Sequence, residues 1–406
     1  MILLELPFTK PKPKPSSGGP APAALPSFGI LGDDFESLGL GVILAKAKKN
    51  IFVYNSQSGL DNAVVAMAQN SEVDSVKNKF SQGCLECQLD YKVNISDLVN
   101  IKPKNDFADF SLVNNIILSG TKLQEVDYVD KTNQILARNQ AFFILDAPLL
   151  AGFELANIRQ KADFQEYCPI IEISPLFNHL KISQESVSLF GLKGLSYIAG
   201  VSKNMTRKGI DLLNPYPSKL MPASNCLERA FVNMAGIIRP ILLLYLLNLP
   251  KSRQEIAGDF YAHPEILKLA YDLEIELKLI LKTYSCSLNA LNSKVCEDSP
   301  SHISYNKSLE ASFKANLIKS ALHGMLVKSN INVKRAFETI IEDIKLNLVL
   351  INQLAELASV QLTIIPKAIN EVSKLSRCDL TGKARTLNDI GFDRLHYKEI
   401  IEVLNQ

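Results

Sequence analysis

The first half of the chain carries short apolar runs that end at turn-forming residues, a pattern typical of buried β-strands. Residues 28–31 form the first run and end at Gly32, and residues 51–54 form the second. Between them, residues 37–49 show helical spacing, with small residues on the early turns. Strand, turn, helix and strand in this order predict a βαβ unit, which joins two parallel strands.

Later apolar runs indicate that the sheet continues. Residues 113–118, 141–145 and 170–173 are each followed by polar or turn-forming residues and are predicted to be strands. Residues 187–190 and 195–199 are expected to form a hairpin around the glycines between them. Apolar strands separated by polar connections favour an α/β fold with a doubly wound, Rossmann-like sheet that is covered on both faces.

The spacing of apolar residues becomes helical from about residue 220 to the end of the chain. Residues 266–281, 339–358 and 363–375 place apolar side chains three and four positions apart, which predicts amphipathic helices. We therefore expect three segments. They are a flexible Pro- and Lys-rich tail (1–26), a Rossmann-like dinucleotide-binding domain (27–218) and an all-helical substrate domain (219–406).

Composition and charge exclude several classes of partner. A net charge of +2 over 406 residues gives no electrostatic reason to expect nucleic acid. Residues 237–249 are strongly apolar, but they are too short to span a bilayer and contain Arg239 and Pro240, so we expect a buried helix and no membrane partner. The seven scattered cysteines favour free thiols in a reducing, cytoplasmic compartment. Cys84 and Cys87 are half of a zinc motif without a second pair, so no metal is expected.

The turn after the first predicted strand is the candidate cofactor site. A dinucleotide-binding turn has the pattern Gly-x-Gly-x-x-Gly, because glycines let the backbone approach the pyrophosphate. The aligned positions here are Gly32, Asp34 and Ser37, so only the first glycine is present. The carboxylates of this turn oppose a bound phosphate but suit a helix N-terminus. The turn is therefore also compatible with a domain that keeps the Rossmann shape without binding the cofactor tightly.

Residues at the ends of other predicted strands complete the candidate cofactor site. Asn55 follows the second strand, where an acidic residue would favour NAD and a basic residue would favour NADP. Asparagine favours neither, so the cofactor is predicted only as NAD or NADP. Ser119 and Gly120 end a later strand and are expected at the same edge of the sheet.

Two segments of the second half resemble the active-site motifs of the opine dehydrogenase family. The family's motifs run Asn-x-Asn-Pro-x-x-His-Pro and Arg-Tyr-x-x-Glu-Asp. The corresponding segments here are Phe231-Val-Asn-Met-Ala-Gly-Ile-Ile-Arg-Pro240 and Glu338-Thr-Ile-Ile-Glu-Asp343. Leu387-Asn-Asp-Ile-Gly391 is similar to the family's closing Leu-x-Asp-Leu-Gly, and matching segments follow in the family's order over roughly residues 27–400.

The resemblance implies a fold and a reaction. It implies a Rossmann-like domain followed by an all-helical domain like the C-terminal domain of 6-phosphogluconate dehydrogenase. The family condenses an amino acid with a 2-oxo acid, using hydride from NAD(P)H. The family's His and Asp form its acid/base pair. Here Arg239 stands at the His position while Asp343 is kept, and Glu338 stands at the family's carboxylate-binding Arg.

The site implied by the resemblance is therefore altered. Asp343, Arg239 and His263 are the candidate catalytic residues, and Asn233, Glu338 and Glu342 are candidate substrate contacts. An arginine cannot transfer protons at neutral pH, so His263 is considered as a replacement, as is His179. A structural role at the start of a helix beside Pro264 is the alternative for His263. We also predict that Arg239 and Asp343 face each other across the substrate cleft and form a charge-assisted pair, for which Glu338 competes.

Two functions remain open at this point. The first is a divergent NAD(P)-dependent oxidoreductase of the opine type, which acts on an amino acid and a 2-oxo acid. The second is a catalytically inactive relative that binds a ligand or a partner protein. A 3-hydroxyacid or ketopantoate-type dehydrogenase shares this architecture but is disfavoured, because the chain shows neither the catalytic Lys nor the Gly-rich substrate loop that it would need. The sequence leaves a homodimer open.

Overall fold

A computed structural model describes most of the chain as two compact units. One unit comprises the residues up to Ala147 together with Ala151–Pro222, and the other comprises Pro148–Leu150 together with Ala223–Gln406. The domain boundary that we expected after residue 218 lies shortly before the observed division, which follows Pro222. The described residues are 27–31, 35–54, 89–94, 101–104, 113–119, 140–161, 168–176, 179–182, 186–192, 195–217, 219–232, 235–248, 264–284, 286, 326–327, 330–331 and 333–406.

The first unit contains strands β1 to β11 and helices α1 to α3. The strands are β1 (Ser27–Leu31), β2 (Asn50–Tyr54), β3 (Leu89–Asn94), β4 (Ile101–Lys104), β5 (Asn115–Ser119), β6 (Ala141–Leu145), β7 (Ile170–Ile173), β8 (His179–Ile182), β9 (Ser186–Leu192), β10 (Leu195–Gly200) and β11 (Lys219–Pro222). The helices are α1 (Phe35–Lys46), α2 (Ala151–Lys161) and α3 (Lys203–Leu212).

The main sheet confirms the predicted doubly wound α/β fold. In the part of the chain that the structure describes, it has eight strands in the order β11-β10-β7-β6-β5-β1-β2-β4. Within this order, the neighbouring strands β7, β6, β5, β1, β2 and β4 all run parallel to one another. Their order is that of the Rossmann fold, in which the chain turns back between β1 and β5. β10 runs antiparallel to β7 and parallel to β11.

The predicted hairpin of residues 187–190 and 195–199 is wrong, because the two segments lie in different sheets. β9 pairs with β3 and β8 in a separate three-stranded sheet, whereas β10 pairs with β7 and β11 in the main sheet. Tyr197 and Ile198 of β10 are fully buried. Apolar alternation marks a segment as a strand but does not select its partner, and burial in the main sheet decides the pairing of β10.

The core of this unit follows from the apolar runs that predicted its strands. Every side chain of β6 is fully buried, as expected for a central strand of a parallel sheet. A close contact places α1 against β1. A Cβ atom added to Gly41 would collide with Cδ1 of Ile30, so the glycine lets the helix approach the strand.

The second unit is built mainly from helices, as predicted. Two short strands, β12 (Leu326–Val327) and β13 (Asn330–Ile331), pair as a small ribbon that was not expected in an all-helical domain. None of the helices in the described residues is long and apolar enough to cross a membrane. The helices are α4 (Cys226–Val232), α5 (Ala235–Leu247), α6 (Pro264–Thr283), α7 (Val333–Asp343), α8 (Val349–Leu357), α9 (Ile364–Ser376) and α10 (Tyr397–Leu404).

Candidate functional site

The predicted pair of Arg239 and Asp343 is formed inside the helical unit. Arg239 lies on α5 and Asp343 ends α7. The Arg239 Nε donates to Asp343 Oδ2 at 2.6 Å, and one terminal guanidinium nitrogen donates to Oδ1 at 2.6 Å. The Asp343 side chain is 5% exposed and that of Arg239 is 27% exposed. This bidentate geometry confirms the predicted charge-assisted pair. It brings together the two segments that resemble the family's motifs, residues 231–240 and 338–343.

A glycine allows α5 to come this close to the helix that carries Asp343. A Cβ atom added to Gly236 would lie 3.1 Å from Asn347 Nδ2 and 3.5 Å from Asp343 Oδ1. Gly236 is three residues before Arg239 and therefore lies on the same face of α5. The absence of a side chain at residue 236 thus helps to place the Arg239 guanidinium beside the carboxylate.

The helical path changes its pitch directly after Asp343. Residues Ile344–Leu348 form a π-helical turn, which leads into α8. π-helical turns within α-helices are frequent at functional sites. Arg385 stabilises this turn, since its backbone N–H donates to Lys345 O at 3.0 Å and its guanidinium donates to Leu346 O at 2.9 Å.

The loop Pro148–Leu150 is held by three side chains of the helical unit. Asn347 Oδ1, in the π-helical turn, accepts a hydrogen bond from the Leu149 N–H at 3.0 Å. Arg385 donates to Leu149 O at 2.8 Å, and the fully buried Arg229 donates to Pro148 O at 3.1 Å. Because side chains satisfy these buried backbone groups, the loop needs no strand or helix of its own.

Sequence reasoning did not identify Asn347 or Arg385 as site residues. Asn347 lies in the otherwise apolar run from Leu346 to Ile351, where a single amide is an unusual residue in a predicted helix core. That position was the available signal for Asn347. No comparable local signal marks Arg385, because its partners lie in other parts of the chain.

The other residues predicted for the substrate site lie at several different places in the chain. Glu338 and Glu342 lie on α7 and are exposed, in contrast to the buried Asp343. His179 begins β8 in the three-stranded sheet of the first unit. Asn233 and His263 lie outside the described residues.

The candidate cofactor edge lies in the first unit, where the strand order turns back. β1 and β5 are adjacent and parallel, with Leu31 opposite Leu118. The carboxyl ends of strands at this point are the place where dinucleotides bind in Rossmann folds, and α1 follows β1 directly. Ser119 is buried at the end of β5 and Ser37 is fully buried in α1. Gly32, Asp34, Asn55 and Gly120 lie outside the described residues.

The described residues contain no group of three or more His, Cys, Asp or Glu side chains that could hold a metal ion.

Comparisons with known proteins support the fold. No protein-family model matches the chain, and no curated protein matches it in sequence. Among solved structures, yersinopine dehydrogenase without ligand is similar over 93% of this chain and 99% of its own, with a TM-score of 0.58 and 13% identity. Octopine dehydrogenase in complex with NADH and agmatine is similar over 94% of this chain and 98% of its own, with a TM-score of 0.60 and 13% identity.

A third similar structure is octopine dehydrogenase with NADH and pyruvate. It covers 91% of this chain and 96% of its own, with a TM-score of 0.62 and 13% identity. At this level of identity the likeness shows a shared fold. The chain therefore has the fold of NAD(P)-dependent dehydrogenases, a Rossmann-like domain followed by a helical domain.

Proposed function

We propose that the protein is an NAD(P)-dependent oxidoreductase of the opine dehydrogenase type. Its reaction would be the reductive condensation of an amino acid with a 2-oxo acid, or the reduction of a related carbonyl or imine. The shared fold and the order of the motifs support this proposal. The observation that carries it is the pairing of Arg239 with Asp343, because the resemblance places the family's catalytic His and Asp at these two positions.

In this proposal Arg239 binds the carboxylate of the substrate. A guanidinium has five N–H donors in a planar fork, and two of its nitrogens are oriented by Asp343. The partial exposure of Arg239 gives a substrate access to the guanidinium. Arg239 is also the only cation within the two motif segments, since Glu338 replaces the family's arginine. The carboxylate-binding role has then moved from the second motif to the first.

Proton transfer must be assigned to another group. Arginine stays protonated at neutral pH, so Arg239 cannot act as an acid or base. We assign this role to His263 or to a water molecule. The carboxyl ends of β1 and β5 suit a dinucleotide, because the strand order reverses between these two strands. The acidic residues that follow β1 in the sequence would weaken the binding of its phosphates. NAD(P)H would supply the hydride when bound there.

The proposal is tested with the full chain. Calorimetry first measures the binding of NADH and of NADPH. The oxidation of the nucleotide that binds is then measured in the presence of pyruvate and a mixture of amino acids. We expect Arg239→Gln to raise KM for the 2-oxo acid by about a hundredfold, the loss typical of charge-assisted hydrogen bonds, without changing the Kd of the nucleotide. Arg394→Gln is the matched control, because Arg394 is 89% exposed on the surface. Failure of the wild-type protein to bind either nucleotide would refute the proposal.

A second function is favoured by the same pair. Both oxygens of Asp343 accept hydrogen bonds from a group that cannot transfer a proton, which suits a non-catalytic relative that binds a carboxylate ligand. This alternative predicts binding of a 2-oxo acid or amino acid that depends on Arg239, with no oxidation of either nucleotide. The calorimetric and kinetic experiments together separate the two functions.

A further inference from the structure

We propose that Arg385 is a positioning residue that fixes the direction of the Asp343 carboxylate, and through it that of the Arg239 guanidinium. All three residues belong to the helical unit. A pair held in this way serves an enzyme and a non-catalytic carboxylate binder alike. Only the consequence for ligand affinity rests on the proposed function, in which Arg239 binds a carboxylate.

The π-helical turn that follows Asp343 is held from outside the helix by Arg385. The Lys345 carbonyl accepts a hydrogen bond from the Arg385 backbone N–H at 3.0 Å. The Leu346 carbonyl accepts one from Nη1 of the Arg385 guanidinium at 2.9 Å. Since single π-helical turns are rare within helices, we expect these two bonds from another segment to favour the wider turn over a regular α-helical one.

The wider turn determines which way Asp343 points. Asp343 lies before the turn, and α8, which follows it, is anchored in the core by the fully buried Leu350 and Ile351. An α-helix rotates by about 100° per residue, so removing the extra residue from the turn would rotate Asp343 by roughly that angle relative to α8. Such a rotation carries the carboxylate away from Arg239, whose two hydrogen bonds require both carboxylate oxygens.

The segment Leu387–Gly391, which resembles the family's closing motif, anchors the chain directly after Arg385. The Asp389 carboxylate accepts hydrogen bonds from the N–H and the hydroxyl of Thr386, both at 2.8 Å. The first N–H of the segment donates to Gln353 on α8 at 2.9 Å. The motif therefore fastens the backbone of Arg385 to the same helix that follows the π-helical turn.

The Arg385 guanidinium is difficult to replace by solvent, because Arg385 is only 5% exposed. Its removal leaves buried carbonyls with one donor fewer, which is costly and favours a rearrangement of the turn. Arg239 then keeps its charge but loses the carboxylate that orients it.

Three substitutions test this role. Arg385→Met removes the guanidinium but keeps most of the apolar stem and the backbone N–H. Arg385→Lys keeps a cation that can donate to one carbonyl, so it should give an intermediate result. Arg229→Met is the matched control. Arg229 is fully buried and donates to Pro148 O, whereas Arg385 donates to Leu149 O and also to the π-helical turn.

The direct readout is the Nε–H group of Arg239 in proton–nitrogen correlation spectra of the full chain. Its signal is identified by its absence in Arg239→Gln, and its exchange with water should be slow in the wild type, because it donates to Asp343 Oδ2. In Arg385→Met we expect this exchange to be about tenfold faster, the factor that corresponds to the loss of one hydrogen bond. Arg229→Met should exchange at the wild-type rate, and Arg385→Lys at a rate between the two.

Two results would overturn the inference. The first is a wild-type exchange rate in Arg385→Met, and the second is an equal acceleration in Arg229→Met, which would indicate a general loosening of the unit. Circular dichroism checks that each variant is folded. If Arg385→Met does not fold, Arg385→Lys decides the question, and a wild-type rate in that variant would contradict the positioning role.

Calorimetry with pyruvate tests the consequence for the ligand. We expect the Kd of pyruvate to rise by about tenfold in Arg385→Met and to stay unchanged in Arg229→Met. An unchanged Kd despite faster exchange would show that the direction of the guanidinium does not affect binding. A wild type that does not bind pyruvate would refute the carboxylate-binding role proposed for Arg239, and the exchange rates would still show whether Arg385 holds the pair.

Discussion

The Arg239 guanidinium and the Asp343 carboxylate are 104 positions apart in the chain and share two hydrogen bonds of 2.6 Å. The resemblance to opine dehydrogenases places an acid/base histidine where Arg239 stands. The helical unit thus holds an ionic pair at these two positions, and its cationic member cannot transfer a proton at neutral pH. The pair fixes the direction of the guanidinium, as the carboxylate-binding role proposed for Arg239 requires.

Asp343→Asn should destabilise the helical unit. The substitution leaves the Arg239 guanidinium without its carboxylate partner, and Asp343 is largely buried. We expect a loss of about 2 kcal/mol in the free energy of unfolding, less than for a fully buried pair because Arg239 is partly exposed. Urea unfolding followed by circular dichroism measures this change. Asp393→Asn is the control, since Asp393 is exposed, and equal losses in the two variants would contradict the assigned strength of the pair.

Arg239→His should restore an acid/base pair with Asp343. A histidine beside a carboxylate titrates in the neutral range, from an unperturbed pKa of about 6.5. If the protein is an oxidoreductase, this variant should gain a pH-dependent rate of nucleotide oxidation that depends on Asp343. The measurement is the pH profile of kcat/KM with pyruvate and an amino acid. A profile that is the same in Arg239→His and Arg239→Gln would show that the imidazole takes no part in proton transfer.

Glu276→Ala should destabilise the packing of α6 against α9. The Glu276 carboxylate accepts hydrogen bonds from the Thr363 N–H at 2.5 Å, the Thr363 hydroxyl at 2.7 Å and the Ile364 N–H at 2.8 Å. It therefore caps the N-terminus of α9 from another helix. For Glu276→Ala we expect the free energy of unfolding to fall by about 2 kcal/mol, which is the upper end for loss of a helix cap. For Glu276→Gln we expect about half of that decrease.

The check on this prediction is urea unfolding of both variants beside Glu402→Ala. Glu402 lies exposed on α10 and serves as the control for removal of a glutamate. A loss in Glu276→Ala no larger than in the control would mean that the cap contributes little to stability.

Two buried thiols should make the protein less stable at alkaline pH. Burial raises the pKa of Cys286 to about 12 and that of Cys168 to about 11, from an ordinary value of 9.0. The unfolded chain therefore releases these protons before the folded protein does. The stabilisation is complete below pH 9.0 and is lost as the pH rises through the folded pKa values.

The free energy of unfolding in urea, measured from neutral to alkaline pH, should fall less steeply in Cys168→Ser than in the wild type. The high pKa also predicts slow reaction of both thiols with a thiol reagent at neutral pH, compared with the partly buried Cys378. Peptide mapping by mass spectrometry distinguishes the cysteines. Labelling of Cys168 or Cys286 as fast as Cys378 would contradict the burial of these thiols.

Local sequence patterns were sufficient to predict most of the strands in the Rossmann-like sheet. The strands β1, β2, β5, β6 and β7 were predicted because each is a short apolar run that is bounded by turn residues. The helices α5, α6 and α9 were predicted because helical spacing of apolar residues is also a local property. The pairing of Arg239 with Asp343 could be predicted from the order of the motifs, which places two opposite charges at the positions of a known pair.

Other features depend on contacts that no local pattern contains. β9 and β10 are neighbours in the chain, yet they join different sheets because burial and pairing partners decide their places. Asn347 binds a residue 198 positions away, and Arg385 binds one 236 positions away. Hydrogen bonds to a loop backbone use groups that every residue carries, so their partners cannot be identified from residue types. The sequence thus determined the elements and the charges of the site, whereas the tertiary structure decided which buried backbone groups those side chains satisfy.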